Sequence, residues 1–307
     1  MRLNIRIMVN AWQKTGKAMA RRSWTWARQE IAALDVETDA HRIAQLSFVV
    51  RYGMPLFLHG LFSVAFVYNV GMPEMARILH RGGRGPILRD TRKRNFDSLT
   101  FFGELYRYGD SEPTRRIAER LVRIHGNFPI VNDMSLYTLA TLACLPKRLS
   151  GRYMGTRGLS DKECEAQYRF WRMLGGLLQI HDIPQTQDAF LDWMREFERT
   201  RMAPTPECRD IAAALAAEWA DYWFPRTLRA SAIGVFYALI EPELRRRLQL
   251  PEPTRLQNAL ASAAIRLFFF AKRLLPDPAE RQISDFFGRE YGARPRIEQI
   301  GYQGDRA

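Results

Sequence analysis

The spacing of apolar residues is the feature of this sequence that most restricts its fold. Along nearly the whole chain they recur at intervals of three and four, the period of a helix with one buried face. The alternation typical of strands is scarce, and proline and glycine fall between the periodic segments. We therefore predict an all-α protein, a single multi-helix globular domain of about ten helices.

The predicted helices are bounded by these breakers and by residues that favour helix starts. Pro113 and Pro206 stand in first turns, Thr205 and Ser160 are expected N-caps, and Pro146 is expected to end a helix. The predicted helices cover residues 24–50, 54–70, 73–81, 94–108, 113–125, 133–145, 160–179, 187–202, 206–221, 226–248 and 255–274.

The length and composition indicate one large folded unit. A chain of 307 residues with 47% hydrophobic residues can bury a large core and is not intrinsically disordered. Nothing resembles a long linker, so we predict a basic N-terminal arm at 1–23, an all-α domain at 24–285 and a C-terminal tail at 286–307. Three widely spaced cysteines exclude a disulfide framework and favour a reducing compartment.

The excess of basic residues predicts an anionic partner surface. Lys and Arg number 46 against 33 Asp and Glu, a formal net charge of +13. We expect no nucleic acid as partner, because there is neither a helix-turn-helix signature nor a basic patch interleaved with aromatic residues. Peripheral contact with an anionic membrane is the alternative. Either the arm or the basic segments 245–247 and 255–273 can provide it, although a packed N-terminal helix and a solvated helix face explain the same residues.

No segment predicts a membrane span or a secretory signal. The most hydrophobic stretch, Leu56–Val70, has fifteen residues and is shorter than the roughly 20 that a bilayer requires, so we predict a buried central helix. Arg6 interrupts the apolar run that a secretory signal would need. We therefore predict a cytoplasmic protein, with or without peripheral membrane contact.

Polar residues are concentrated in segment 87–145 of this apolar framework. On the predicted helix 94–108, Arg94 and Ser98 are one turn apart and share a face. On the next helix, His125 lies in a row beside the apolar row of Ile117 and its neighbours, so His125 is expected to point inward. This segment is the candidate site.

Each candidate residue has a chemical and a structural interpretation. A buried imidazole at His125 can ligate a metal or haem iron or act as a general base, and it can also be a satisfied core histidine. Arg94 can serve an anionic group or pair with Asp90 or Asp97. Asp133 can be an N-cap or a catalytic carboxylate.

The stretch His125–Ala140 resembles a known catalytic core. It is similar to the "histidine, then Asn-Asp-x-x-Leu-Tyr-Thr-Leu" pattern of the MpaB and latex-clearing-protein oxygenase domain. Further segments match in the same order. They are Arg94, Ser98 and Tyr108-Gly109 upstream, and Glu165–Trp171, Gly175, Ile180–Pro184, Phe190–Phe197 and Trp223–Arg229 downstream. The resemblance covers roughly residues 45–280.

The resemblance implies an all-α fold that holds haem b. His125 would be the axial ligand and therefore the metal ligand, Ser98 would lie in the haem pocket, and Arg94 would be both a pocket residue and the candidate catalytic residue. The resemblance also implies an oxygenase that uses O2 to cleave a C=C bond of a hydrophobic, isoprenoid-like substrate. Rubber oxygenases cleave polyisoprene and the MpaB type cleaves a prenyl side chain, so the implied partner is a hydrophobic small molecule or prenyl chain.

The sequence departs from the family pattern at identifiable positions. Ser98 stands where threonine is usual, Asp97 where the rubber oxygenases have a lysine, and Glu74 lies only in the neighbourhood of their catalytic glutamate.

His59 is a second candidate ligand. The apolar segments 54–70 and 267–271 can line a hydrocarbon pocket or form core. The alternative function is a non-catalytic helical protein that binds a membrane or a protein partner through its basic face.

Overall fold

The computed structural model of this chain describes residues 23–289. In that range the regular secondary structure consists of 15 α-helices with short 3₁₀ and π segments and contains no strand, which confirms the all-α fold class. The predicted basic arm lies outside the described residues except for its last residue, and so does most of the predicted tail.

The α-helices, numbered in chain order, follow most of the predicted segments closely. They are α1 Trp26–Ala33, α2 Ala40–Ala44, α3 Pro55–Val70, α4 Pro73–His80, α5 Pro86–Arg89, α6 Thr91–Tyr108, α7 Glu112–His125, α8 Asn132–Met154, α9 Asp161–Leu177, α10 Gln187–Arg201, α11 Pro206–Trp223, α12 Arg229–Leu239, α13 Pro242–Arg247, α14 Arg255–Leu274 and α15 Ser284–Phe287. Ser160 and Thr205 are N-caps, as predicted.

The apolar helix α3 lies at the centre of the domain. It packs against α4, α6, α8, α11 and α12, and the main apolar cluster includes residues from Ala44 to Phe287. A smaller second cluster joins α1 and α2. Within residues 23–289, no single helix has both the length and the hydropathy to cross a bilayer. The helices over Ala40–Arg51 and Pro55–Val70 meet those criteria only as a pair, which bends by 114°.

Two predicted helices are broken in the structure. The predicted helix 24–50 is interrupted at Leu34–Asp39, where the carboxylates of Asp35 and Asp39 accept backbone N–H groups. Such local side-chain bonds compete with the helical pattern. The predicted helix 226–248 ends at Leu239 and restarts at Pro242, because proline favours the first turn of a helix and offers no N–H to a preceding turn.

Pro146 does not end its helix, contrary to the prediction. Proline offers no N–H to the carbonyl of Leu142, yet α8 continues to Met154. The side chain of Gln167 donates to the Leu142 carbonyl at 3.2 Å, and that of Gln187 donates to the Ala143 carbonyl at 3.1 Å. Two amides from neighbouring helices thus provide hydrogen bonds at the turn that the proline disturbs.

Buried ion pairs connect helices that are distant in sequence. Arg148 on α8 donates to Glu198 of α10 at 2.6 and 3.1 Å and also binds Glu241. Arg51 donates to Glu163 at 2.6 Å. Charges removed from water at this depth require such partners, because an unpaired buried charge is strongly destabilising.

The packed part of the chain extends past the boundary predicted at 285. The short helix α15 packs on α6, and Phe287 is buried with its ring centroid 5.0 Å from that of Phe96. Ser284 donates to the buried carboxylate of Glu104 at 2.6 Å. The segment after residue 280 therefore completes the core beside α6.

We predict that Gln167→Leu lowers the free energy of unfolding by about 2 kcal/mol, because it removes the donor to the buried Leu142 carbonyl and the acceptor of the Tyr106 hydroxyl. Urea denaturation measures the change. The exposed Gln29→Leu is the matched control and should stay close to the parent protein. Equal stability of the Gln167 variant and the control would show that α8 does not need this bond.

Candidate functional site

The helices α6 and α7 form a hairpin that brings the predicted site residues together. Asp90 caps α6 by accepting the Lys93 N–H at 3.1 Å, and α6 ends at Gly109, which has φ +57°. The His41 ring lies so close to Gly109 that any side chain there would collide with it. The turn sends α7 back along α6. The positive charge of Arg94 lowers the pKa of the His125 imidazole, which lies at the end of α7.

Arg94 and Ser98 share a face of α6, as predicted. The Arg94 guanidinium donates from Nη1 to Ser98 Oγ and lies over the ring of Phe66, 5.7 Å from its centroid. The serine hydroxyl is the group that it has in common with threonine, so this contact tolerates the departure from the family pattern.

Arg94 does not form the ion pair that the sequence left open. Asp97 accepts from Lys93 Nζ at 3.2 Å, and Asp90 is used as the helix cap. Within residues 23–289, no carboxylate forms a salt bridge with Arg94. Desolvation lowers the pKa of the Arg94 guanidinium, although the nearby Asp97 opposes that shift. The helix hairpin therefore holds a positive charge that its neighbours do not neutralise.

The prediction that His125 points into the core is wrong. The buried residues of α7 are Thr114, Ile117 and Ala118, all in its first half, whereas His125 at its last position is exposed. The apolar rows of α7 continue to its end, but the helix is only half-buried there. Periodicity indicates which residues share a face, and it does not indicate how far along the helix that face stays covered.

His125 is exposed but still close enough to protein atoms and to Arg94 for both to affect its pKa. Protein atoms around the ring lower the pKa of the imidazole by desolvation, and the charge of Arg94 lowers it further. Within the described residues, the His125 ring has no hydrogen bond, ion pair or aromatic contact, so its nitrogens are free.

His59, the second candidate ligand, is a satisfied core histidine. Trp223 Nε1 donates to Nδ1 of His59 at 3.1 Å, and Nε2 lies 2.9 Å from the Glu218 carboxylate. These partners assign the Nε2–H tautomer and engage both ring nitrogens. Asn95 also donates to Glu218, at 3.3 Å.

An aromatic wall adjoins Arg94. Phe62 and Phe66 are one turn apart on α3, and the Phe62 ring centroid lies 5.9 Å from those of Phe66 and Phe102. All three rings are only partly buried although Phe62 contacts Phe102 across helices, so solvent reaches part of each ring. The spacing of Arg94, Ser98 and Phe102 at four-residue intervals on α6 is a signal in the sequence that predicts this shared face.

The other motif residues frame the start of α8. The Asn132 side chain binds both backbone groups of His181, at 2.9 and 3.2 Å, and so ties α8 to the turn at 178–184. Asp133 is not the N-cap, which is Val131; it is exposed and lies 3.7 Å from Arg201. Glu74 is exposed in the first turn of α4 and has no hydrogen bond or ion pair with Arg94 or His125.

Within the described part of the chain, no group of three or more His, Cys, Asp or Glu residues is arranged to hold a bare metal ion. A haem carries the iron in its own macrocycle and needs only an axial ligand from the protein. The donor set at this site, one free imidazole beside an unpaired guanidinium, is compatible with that kind of cofactor.

Comparison with known proteins identifies a family. Residues 51–270 match the family model described as "ER-bound oxygenase mpaB/B'/Rubber oxygenase, catalytic domain". The matched range includes Arg94, Ser98, His125 and the aromatic wall. A search of curated proteins gives no match.

We predict that His125 titrates with a pKa below about 6.5, the ordinary histidine value, and that Arg94→Gln raises it part of the way back. The recovery is partial because desolvation, the larger cause, remains. An NMR titration of the imidazole in the haem-free protein measures both values, with the exposed Arg84→Gln as control. A His125 pKa that Arg94→Gln leaves unchanged would show that the two groups do not interact.

Proposed function

The chain belongs to the family of the ER-bound oxygenase MpaB and the rubber oxygenases, and on that premise we propose that it is a haem-dependent oxygenase with His125 as axial ligand. The observation that carries the proposal is the state of the His125 ring. The ring is exposed, has no hydrogen bond or ion pair among the described residues, and has a pKa that desolvation and the charge of Arg94 lower below the ordinary histidine value. A neutral imidazole with an available lone pair is the form that binds iron.

Arg94 and Ser98 fit the polar side of a haem site. A haem b carries two propionates, and a guanidinium with no carboxylate partner among the described residues is suited to pair with one of them. Ser98 accepts a hydrogen bond from Arg94 and so holds the guanidinium in place. The same charge, if it faces the reacting atoms, stabilises negative charge on oxygen and makes Arg94 the proposed catalytic residue.

The aromatic wall supports a hydrophobic substrate. Bound haem would supply the activation of O2, and the work of this chain is to bind, orient and keep dry an apolar chain. Phe66 offers partly exposed ring surface beside Arg94, and Phe62 links it to the partly buried ring of Phe102. Apolar surface with one fixed polar group is typical of sites for apolar ligands. We therefore propose O2-dependent cleavage of a C=C bond in an isoprenoid-like chain.

The position that is lysine in rubber oxygenases has a different role here. Asp97 is buried and accepts from Lys93, one turn earlier on α6. The carboxylate closest in sequence to Arg94 is therefore bound by Lys93. The Arg94 guanidinium forms no salt bridge with it and can bind an anionic ligand. The proposal therefore assigns no proton transfer to residue 97.

We predict that the protein takes up haem and that His125→Gly weakens haem binding and shifts the Soret band, because the axial ligand is lost. Added imidazole should restore the parent spectrum by binding in the space left by the side chain. Visible spectra during haem titration, with circular dichroism to confirm helicity, measure these changes.

The control for haem binding is His80→Gly, which removes a histidine that pairs with Asp210 at 3.0 Å outside the site. This variant should bind haem like the parent protein. An unchanged spectrum and affinity in His125→Gly would refute His125 as the ligand, whatever the protein oxidises.

We predict that the haem-loaded protein consumes O2 with squalene, a short polyisoprene, and forms carbonyl products. Cleavage adds both atoms of O2 across one C=C bond and gives two C=O groups, so labelled O2 should appear in both fragments. Oxygen uptake and mass spectrometry measure this reaction. Squalane, the saturated analogue of similar shape, is the matched control and should give no product. Equal O2 uptake with both compounds would contradict cleavage at a double bond.

A further inference from the structure

The helix α14 has an unusual distribution of apolar side chains. Only Ala261 of its 20 residues is buried. One side packs on α12 and places Phe268 and Phe269 against the ring of Tyr52, with centroid distances of 6.1 and 5.2 Å. The opposite side has no packing partner among the described residues.

That open side is apolar along its whole length. Of the ten exposed large hydrophobic side chains in the described range, five belong to α14. They are Leu256, Leu260, Leu267, Phe270 and Leu274, with exposed fractions of 68%, 45%, 67%, 57% and 60%. Their spacing of three, four and seven residues places them on one face. We call these five residues the α14 apolar face.

A cationic cavity opens beside this face. It has a volume of about 590 Å³, lies between the end of α8 and α14, and includes Phe270 of the apolar face in its wall. Four arginines line it: Arg152, Arg157, Arg266 and Arg273. All four are exposed, and within residues 23–289 no carboxylate forms a salt bridge with any of them.

Backbone carbonyls hold three of these arginines in place. Arg266 donates to the carbonyl of Tyr153 at 3.3 Å, and Arg273 donates to that of Arg157. Arg152 donates to the carbonyls of Ala238, Leu239 and Ile240 at the end of α12. A guanidinium has five N–H donors, so each arginine keeps donors for an anion.

We propose that the α14 apolar face and its four arginines form a docking surface for an anionic phospholipid bilayer. The leucines and Phe270 would enter the interface, and the cavity would receive a lipid phosphate. Charge selects this occupant. A second copy of the chain would place the same arginines opposite one another. Residues 1–22 carry six basic and no acidic side chains, so that segment is also not complementary in charge to the four arginines. This proposal does not depend on haem or on the reaction.

Vesicle sedimentation with the full chain tests the proposal. We expect binding to phosphatidylcholine vesicles that contain phosphatidylglycerol, and much weaker binding to phosphatidylcholine alone. The double variant Arg266→Gln/Arg273→Gln should lower the affinity for anionic vesicles about tenfold or more. The variant Leu267→Gln should lower it about fivefold, because apolar burial is lost.

The controls match each variant in charge or in polarity. Arg84→Gln/Arg209→Gln removes the same charge from exposed positions that form no salt bridge with a described carboxylate, and it should change the affinity less than about twofold. Val131→Gln is the control for Leu267→Gln, since Val131 is exposed by 54% at the N-cap of α8, away from α14.

Four outcomes would overturn the proposal. Equal binding to neutral and anionic vesicles would show that the arginines do not recognise anionic lipid. An equal loss of affinity in the Arg266/Arg273 and Arg84/Arg209 variants would show that only the net charge of the protein matters. Loss of binding in Lys14→Gln/Lys17→Gln, with full binding in the α14 variants, would assign the membrane contact to residues 1–22. A dimer that dissociates on Leu267→Gln, with no vesicle binding in the parent protein, would assign the face to a second copy.

Discussion

The structure depends on one constraint: the chain has fewer acidic than basic side chains. With 46 Lys and Arg and only 33 Asp and Glu, the fold cannot give every cation an acidic partner. Acidic partners are found at deeply buried guanidinium groups. Arg148 binds Glu198 and Glu241, and Arg51 binds Glu163. These pairs join helices far apart in sequence, because a charge removed from water without a partner would cost several kcal/mol.

Arginines without a salt bridge to a described carboxylate occur in both proposed functional regions, as well as elsewhere on the surface. Arg94 is desolvated near His125, and its closest acid in sequence, Asp97, is bound by Lys93. Three of the four arginines beside α14, Arg152, Arg266 and Arg273, donate to backbone carbonyls and keep donors for an anion. Both regions also border partly exposed apolar side chains. In an oxygenase that acts on a hydrocarbon held in a bilayer, the region around Arg94 would bind the substrate. The α14 region would hold the enzyme at the bilayer that contains the substrate.

Much of the site could be predicted from the sequence because its geometry is local. Arg94 and Ser98 are one helical turn apart, and a hydrogen bond between them needs nothing beyond the helix. The exposure of His125 could not be predicted in that way, since it depends on where α7 loses contact with the core. His59 shows the same limit. Its satisfied state depends on Trp223 and Glu218, more than 150 residues away in sequence.

The sequence by itself determined the helical class, most helix boundaries and the family, because helix periodicity, caps and ordered motifs are encoded over short distances. Only the tertiary structure decided which apolar faces are covered. The residues of α14 have the spacing of a core helix, yet most of them stay exposed because no other described helix packs there. Tertiary contact also decided that α8 passes through Pro146, since the amides of Gln167 and Gln187 come from other helices. Burial and partner choice are properties of packing, which a local pattern does not contain.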